Sequence, residues 1–316
     1  MEKGYRIGAC AVIFALLLRF ACGTLPQKTL QLLQKPEVIR SLLFAQTGRW
    51  FELPRYDAGH SGESSVPVFA PTLSFSEEDA QLVQLQNVCG LDADMPGLLT
   101  RQLDWQLSDD QPTVLILHSH TSESYTYTGG YVEDTPYRTL DEDHNMLSIG
   151  QALTQQLEQA GICVIHDRTV HDYPSYNGSY AHARETVRDY LEKYPSIQLV
   201  LDLHRDAMED TSGNQVAQVC SVNGTDTAKL MLVIGGSHEG WTDNMALAAK
   251  LQARLEQLYP GICRPIAFRS GRYNQDLSRG ALLIEIGSAG NTRQQALHST
   301  YLLGQAIIDL KDGTNQ

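Results

Sequence analysis

Two histidines and a glutamate follow an apolar run near the middle of the chain, and their chemistry suits a metal site. Residues 113–117 are apolar or β-branched, and His118, His120 and Glu123 come shortly after them. Open α/β sheets place their reactive groups at the C-terminal ends of such buried strands. Imidazole and carboxylate are the zinc ligands of hydrolytic sites. The stretch therefore predicts that His120 and Glu123 hold a catalytic Zn²⁺.

Two later apolar runs offer the remaining groups of a hydrolytic centre. Residues 197–203 end at His204, and Glu285 lies within the run 281–286. Right-handed crossovers would gather these strand ends at one edge of a sheet. A catalytic zinc takes three protein ligands and keeps one open position, and His120, Glu123 and His204 would fill that set. Glu285 is then predicted to be the general base, which takes a proton from the attacking water and gives it to the leaving amine.

A structural interpretation competes with the metal site for each residue taken singly. A lone histidine at a strand end is more often a hydrogen-bonded structural residue than a ligand. Three strand ends that carry His118 with His120, Asp202 with His204, and Glu285 together favour the metal site. Asp202 is expected to flank a ligand from the opposite face of its strand and to act as its supporting partner, and His118 stays open as a ligand or a neighbour of the site.

Strands and helices alternate from Thr113 onward, and this pattern indicates the elements that position the site. It predicts an α/β fold with a mainly parallel central sheet and helices on both faces. We assign residues 111–312 to this catalytic domain. Short alternating segments predict a small strand-rich region over 72–110. Residues 24–71 are assigned to a stalk, indicated by apolar residues at helical spacing, and to a linker rich in Gly, Ser and Pro.

Composition excludes other classes of function. The chain has 316 residues and a formal net charge of −13, so the basic footprint that nucleic-acid binding needs is missing. The six cysteines show no CxxC spacing, which argues against a cysteine metal cluster. The chain also lacks the GxSxG motif of serine hydrolases.

The first 23 residues have the pattern of a targeting segment. Lys3 and Arg6 precede the apolar run 7–18, and Arg19 interrupts it. Positive charge before the run predicts a cytoplasmic N-terminus and an extracytoplasmic remainder. A cleaved signal and an uncleaved single-pass transmembrane anchor both fit, and we favour the anchor. Either one places the catalytic domain outside the cytoplasm, at the cell membrane.

Several long motifs occur in an order that resembles the stage II sporulation protein P family. They occupy residues 117–125, 164–167, 171–180, 201–207, 273–278 and 283–287. The resemblance covers about residues 112–310. It implies a membrane-anchored hydrolase of peptidoglycan that acts in septal wall thinning and engulfment during sporulation. It further implies N-acetylmuramoyl-L-alanine amidase activity, attributed endopeptidase activity on peptide cross-links, and partnership with the stage II sporulation proteins D and M.

The catalytic region is also similar to the zinc amidases of cell-wall autolysins. His120, His204 and Glu285 match two ligand histidines and the catalytic glutamate of that pattern. The third ligand, a carboxylate, is less certain from these similarities. The autolysin pattern places it near Glu142, whereas the His-x-x-Glu spacing of zinc carboxypeptidases selects Glu123. We prefer Glu123, since a fixed spacing of three residues positions it without help from a loop.

Polar and aromatic residues near the motifs are predicted to bind substrate. The loop before the Glu285 strand is expected to line a groove for the peptide stem, although a polar surface loop would look similar. Tyrosines before the helix at 180 suit stacking against a sugar, but they also suit simple packing. The predicted substrate-binding residues are Arg205, Arg269, Arg272, Asn274, Gln275, Asp276, Tyr176 and Asn177.

Two other functions remain open from the sequence alone. The His-x-x-Glu spacing also suits a zinc carboxypeptidase-like peptidase that trims stem peptides. A non-catalytic scaffold that binds the cell wall would need none of the predicted chemistry. The products of wall digestion distinguish these alternatives.

Overall fold

The computed structural model describes residues 73–103 and 105–311, which fall within one compact unit, Phe69–Gln316. Two short 3-10 helices, Glu77–Leu82 and Gln275–Leu277, accompany the main elements. The strands are β1 (Leu85–Asn87), β2 (Val114–Leu117), β3 (Val164–His166), β4 (Leu199–Asp206), β5 (Val219–Val222), β6 (Thr225–Ala228), β7 (Leu230–Gly235), β8 (Ile266–Arg269) and β9 (Ala281–Ser288). The helices are α1 (Met95–Thr100), α2 (Met146–Gln159), α3 (Ser179–Lys193), α4 (Trp241–Leu258) and α5 (Arg293–Asp309).

Seven strands form the central sheet in the order β1-β8-β7-β9-β4-β2-β3. β9, β4, β2 and β3 run parallel to one another, and so do β7, β8 and β1. The antiparallel pairing of β7 with β9 joins these two blocks. The prediction of a mainly parallel α/β sheet is confirmed. Because β2, β4 and β9 are parallel, their C-terminal ends meet at one edge of the sheet.

Helices cover both faces of this sheet, and side-chain alternation along the strands decides which residue faces which layer. On one face, alternate strand residues such as Ile116, Leu201 and Ile284 form the main core with α2, α4 and α5. On the other face, Leu115, Leu117 and Val200 pack against Ala183 and Val187 of α3. His204 and Glu285 are an even number of residues from strand residues that point to this second face, such as Val200 and Ala281. Both therefore lie on the side of the sheet that carries α3.

The segment before β2 differs from the prediction of a small strand-rich region. Within residues 73–103 and 105–110 the structure places one strand, β1, which pairs with β8 at the edge of the central sheet. Leu99 of α1 is buried against Ala249 and Ala253 of α4. A three-residue strand cannot form a stable sheet by itself, so it pairs with the central sheet instead.

The predicted membrane anchor (1–23) and the predicted stalk and linker (24–71) lie outside the described residues. Among the residues that are described, the structure contains no helix whose length and apolar character would let it cross a membrane.

Candidate metal centre

The loop after β2 is a buried polar segment. Every residue from His118 to Ser124 is buried. The chain turns where the Glu123 N–H donates to the His120 carbonyl oxygen at 3.2 Å. Polar side chains this deeply buried need partners or ligands, because desolvation is costly. The turn directs His120 and Glu123 toward the same point.

His120, Glu123 and His204 converge into one group. One nitrogen from each histidine and one carboxylate oxygen lie within 4.8 Å of one another. His120 Nδ1 is 3.3 Å from Glu123 Oε1, and His204 Nδ1 is 3.6 Å from Glu123 Oε2. The structure thus brings together the three residues predicted as ligands, from the β2 loop and from strand β4.

Asp202 supports His204, but the two side chains share one face of β4, so the prediction that Asp202 lies on the opposite face is wrong. Its Oδ1 lies 2.9 Å from His204 Nε2. Ser119 holds the carboxylate in place, since its N–H donates to Oδ1 at 2.8 Å and its hydroxyl donates to Oδ2 at 2.5 Å. A carboxylate behind a ligand histidine fixes the orientation of the ring and raises its basicity.

The charges around this group favour a cation at its centre. Burial alone would raise the pKa of Glu123, but the Arg205 guanidinium and hydrogen bonds from His120 and His204 hold that pKa well below its usual range. Burial alone would lower the pKa of His204, but Asp202 and Glu123 together raise that pKa well above its usual value. Without a metal, the carboxylates therefore attract a proton to His204.

Glu285 lies next to this group. It is the register partner of His204 across the β4–β9 pair. The ladder slips by one residue just beyond them, between the pairs His204–Glu285 and Asp206–Ser288, and such bulges often redirect side chains beside active sites. Burial, together with the Glu123 and Asp206 carboxylates, raises the pKa of Glu285 to about 8. A nearby cation would lower this pKa and leave Glu285 ionised as a base.

The residues present fit a zinc ion. His120 Nε2 and Glu285 Oε2 are buried without a hydrogen-bond partner, which is rare for buried polar atoms. Two imidazoles and one carboxylate form a donor set typical of catalytic zinc. The group therefore has the ligands, the local charge and the adjacent base that a hydrolytic zinc site needs.

His118, which the sequence left open as a ligand or a neighbour of the site, lies outside this group. Its Nδ1 lies 3.0 Å from the Leu203 carbonyl oxygen, and its Nε2 lies 3.0 Å from His166 Nε2. Both rings lie against α2, where Gly150 leaves room for them. His118 is thus a structural residue on the face of the sheet opposite to His204.

The His118–His166 contact predicts a dependence of stability on pH. Burial and the neighbouring His166 lower the pKa of His118 to about 3, and burial and Arg168 lower that of His166 to about 4. The unfolded chain takes up protons below pH 6.5 while these folded rings stay neutral, so stability falls as the pH drops from 6.5 toward 3.

Each of these histidines contributes a slope of about 1.4 kcal/mol per pH unit over that window. We expect His118→Gln to be less sensitive than the wild type when urea unfolding in excess chelator is compared at pH 7 and pH 5. The variant should also still bind zinc. An unchanged pH sensitivity would contradict the buried, neutral state of His118.

Three other predicted residues are engaged elsewhere. Glu142 is exposed and pairs with Arg168, away from the ligand group. Arg205 is buried behind Glu123, and its guanidinium donates to the carbonyl oxygens of Ser124 and Tyr137. Gln275 is buried, and its amide bonds the backbone of β7 at Gly235 and Val233. Internal partners thus occupy these polar groups of Arg205 and Gln275, and the assignment of both residues to substrate binding stays a prediction.

The remaining predicted substrate residues lie at different distances from the centre. The Tyr176 ring is 4.6 Å from the His120 ring, and Asn177 is exposed in the same loop. Arg272 and Asn274 line a cleft beside α3. Asp276 binds Arg184 at 2.6 Å. Arg269 ends β8, which runs antiparallel to β9, so it lies at the sheet edge away from Glu285.

Sequence reasoning missed two residues that hold the ligand loop. Asp172 accepts hydrogen bonds from the Ser122 N–H at 3.0 Å and from Arg138 Nη1 at 2.6 Å. Arg138 also lies 3.5 Å from Glu123 and stacks over Tyr176. Neither residue ends an apolar strand, and their partners are distant in sequence. Asp172 lies within the motif at 171–180, and this motif is the one signal that could have marked it.

The fold and the site define an α/β protein with a buried His–Glu–His group at one edge of a mainly parallel sheet. The model of the family "Stage II sporulation protein P (SpoIIP)" matches residues 64–308, and the chain belongs to this family. The resemblance drawn from the motifs is confirmed.

A curated relative and solved structures show further similarity. Stage II sporulation protein P of Bacillus subtilis (strain 168) is 29% identical over 206 residues, which cover 60% of this chain and 49% of the relative. The chain thus spans about half the length of that relative.

Two solved structures resemble the chain at low sequence identity. The N-acetylmuramoyl-L-alanine amidase AmiC2 of Nostoc punctiforme is 16% identical, with 62% of this chain and 93% of that chain covered and a TM-score of 0.36. The N-acetylmuramoyl-L-alanine amidase from Clostridium difficile 630 is 16% identical, with 63% and 94% covered and a TM-score of 0.38.

Proposed function

We propose that the chain is a zinc-dependent peptidoglycan hydrolase, an N-acetylmuramoyl-L-alanine amidase that acts in septal wall thinning and engulfment during sporulation. Endopeptidase activity on peptide cross-links belongs to the same proposal. The observation that carries it is the buried convergence of His120, Glu123 and His204, with Glu285 next to His204 in register, in a chain of the SpoIIP family.

Each residue of the site has a distinct role in this proposal. His120, Glu123 and His204 hold the zinc, which when bound polarises the scissile carbonyl and makes water more acidic. Glu285 accepts a proton from the attacking water at a carboxylate oxygen and then donates it to the leaving amine nitrogen. Asp202 and Arg138 keep the ligands in position, and the Tyr176 ring offers a face for a sugar or peptide group.

Location and partners form a separate part of the proposal, supported by the sequence pattern and the family. Residues 1–23 would anchor the chain in the cell membrane with the catalytic domain outside the cytoplasm. The stage II sporulation proteins D and M would be its partners.

Digestion of purified cell wall by the full chain, followed by identification of the products, tests the reaction. An amidase releases stem peptides that begin with a free L-alanine amine and leaves glycan strands without new reducing ends. Excess chelator should stop the release, and added Zn²⁺ should restore it. New reducing ends would contradict amide hydrolysis, and free amino acids without released stems would favour a carboxypeptidase. Wall binding without products would favour a scaffold.

A further inference from the structure

A cleft of about 590 Å³ lies beside the metal centre, and its charged lining is entirely cationic. The charged residues are Arg184 and Arg188 of α3 and Arg272 of the loop before β9. None of the described residues that line the cleft is acidic, although the chain has 37 Asp and Glu against 24 Lys and Arg. A local excess of positive charge in an acidic protein indicates recognition of an anion.

One side chain forms a wall common to the cleft and the metal centre. The Tyr180 ring lies 5.2 Å from the His120 ring and 6.1 Å from the His204 ring. The same ring lines the cleft, where it lies 6.0 Å from the Tyr273 ring. A molecule that extends from the metal centre past Tyr180 would therefore enter the cleft.

Two of the three arginines already have carboxylate partners. Arg184 makes a bidentate contact with Asp276, at 2.8 and 2.6 Å. Arg188 pairs with Glu185 at 3.1 Å, but both side chains are largely exposed, so water screens this pair. Arg184 is thus neutralised and held in place, while Arg188 adds only a solvent-screened charge at the rim.

Arg272 keeps its charge free for a ligand. Its Nε donates to the Ser237 carbonyl oxygen at 3.1 Å, and no carboxylate of the described residues lies within ion-pair distance of it. The next two residues, Tyr273 and Asn274, both have positive φ, 50° and 55°. Non-glycine residues in this region are strained, and such strain is often retained where function requires a particular loop conformation. The Asn274 amide donates to the Tyr180 carbonyl oxygen at 2.8 Å and ties this loop to the shared wall.

We propose that this cleft binds a carboxylate of the stem peptide and that Arg272 is the contact residue. The guanidinium presents paired N–H donors that match a carboxylate, and such charge-assisted pairs are stronger than neutral hydrogen bonds. The inference rests on the proposed function, because it places the peptide side of the scissile amide in the cleft. This contact makes the chain selective for stem peptides with a free carboxylate over stem peptides in which that carboxylate is amidated.

Two probes that differ only in charge test this selectivity. They are N-acetylmuramoyl-L-alanyl-D-glutamate, a dicarboxylate, and its neutral dicarboxamide. Calorimetric titration of the full chain with Glu285→Gln, which slows turnover, should show at least about tenfold tighter binding of the dicarboxylate. Adding Arg272→Ala to this variant should remove the preference for the dicarboxylate. The affinity for the dicarboxamide should stay unchanged, and that unchanged affinity shows that the doubly substituted protein is folded. Arg272→Lys should restore part of the preference, and Arg279→Ala, on a highly exposed arginine outside the cleft, should retain all of it.

Equal affinities for the two probes, or a preference that survives Arg272→Ala, would overturn the proposal. Incubation of the wild type with the dicarboxylate separates this failure from failure of the proposed function. Preferential, Arg272-dependent binding without release of L-alanyl-D-glutamate would support the cleft and refute the amidase. Release of the dipeptide from both probes at equal rates would support the amidase and refute the cleft.

Discussion

Glu285→Gln should lower the rate of wall hydrolysis by about 10²–10⁴-fold, the range typical of a lost general acid–base group. Glutamine has nearly the same shape as glutamate but cannot accept and return a proton. The ligands His120, Glu123 and His204 are untouched by this change, so zinc content should stay at the wild-type level. Product release from purified wall and metal content by elemental analysis measure the two effects together.

A matched control for this substitution is Glu192→Gln, on an exposed residue of α3. It removes one carboxylate of the same type and should leave both activity and zinc content unchanged. Wall hydrolysis at the wild-type rate by Glu285→Gln would contradict the role of Glu285 as base. Loss of zinc together with activity would make Glu285 a ligand instead.

Glu123→Gln should weaken zinc binding by more than about 100-fold, since loss of even an outer-shell partner typically costs 10–100-fold. The neutral amide of glutamine is a poor zinc ligand. The substitution also removes the negative charge by which Glu123 attracts the cation. The substitution leaves Arg205 and Arg138 beside a neutral group, so the local charge further disfavours the metal. Competition with a chromogenic chelator measures the affinity.

Glu142→Gln provides the comparison, because Glu142 is the other carboxylate that the sequence offers as a ligand. Its contact with Arg168 lies at the surface, and we expect zinc affinity and wall hydrolysis to be unchanged. The reverse result, in which Glu142→Gln loses zinc and Glu123→Gln keeps it, would move the third ligand to residue 142.

The strand ends that carry His120, His204 and Glu285 are recognisable without a structure. Each apolar run is short, bounded by polar residues and followed or preceded by a helical pattern, so local burial and periodicity are enough to place it. Because strands joined by helices pair in parallel through right-handed crossovers, the common edge of β2 and β4 also follows from the order of elements. The direction of β9 does not, since β9 follows β8 without an intervening α-helix and runs antiparallel to it. The strand ends that carry these three candidate residues were therefore predictable from the chain alone.

The short strands were less accessible to prediction. β1 and β8 have three and four residues, and β7 pairs antiparallel to β9 between two parallel blocks. No local property of these segments selects their partners, because pairing depends on which edge of the sheet is left open once the longer elements have packed.

Tertiary contacts also separated residues that look equivalent in the sequence. His118 and His120 share the same alternation parity, yet the strand ends at Leu117 and the following turn directs them to opposite faces. Glu123 differs from Glu142 because Arg205 and Arg138, distant in the chain, surround one carboxylate, while Arg168 pairs with the other at the surface. Hydrophobic pattern and chain order thus determined where the chemistry lies. Only the folded chain decided which buried charges meet, because that depends on long-range contacts that no local pattern encodes.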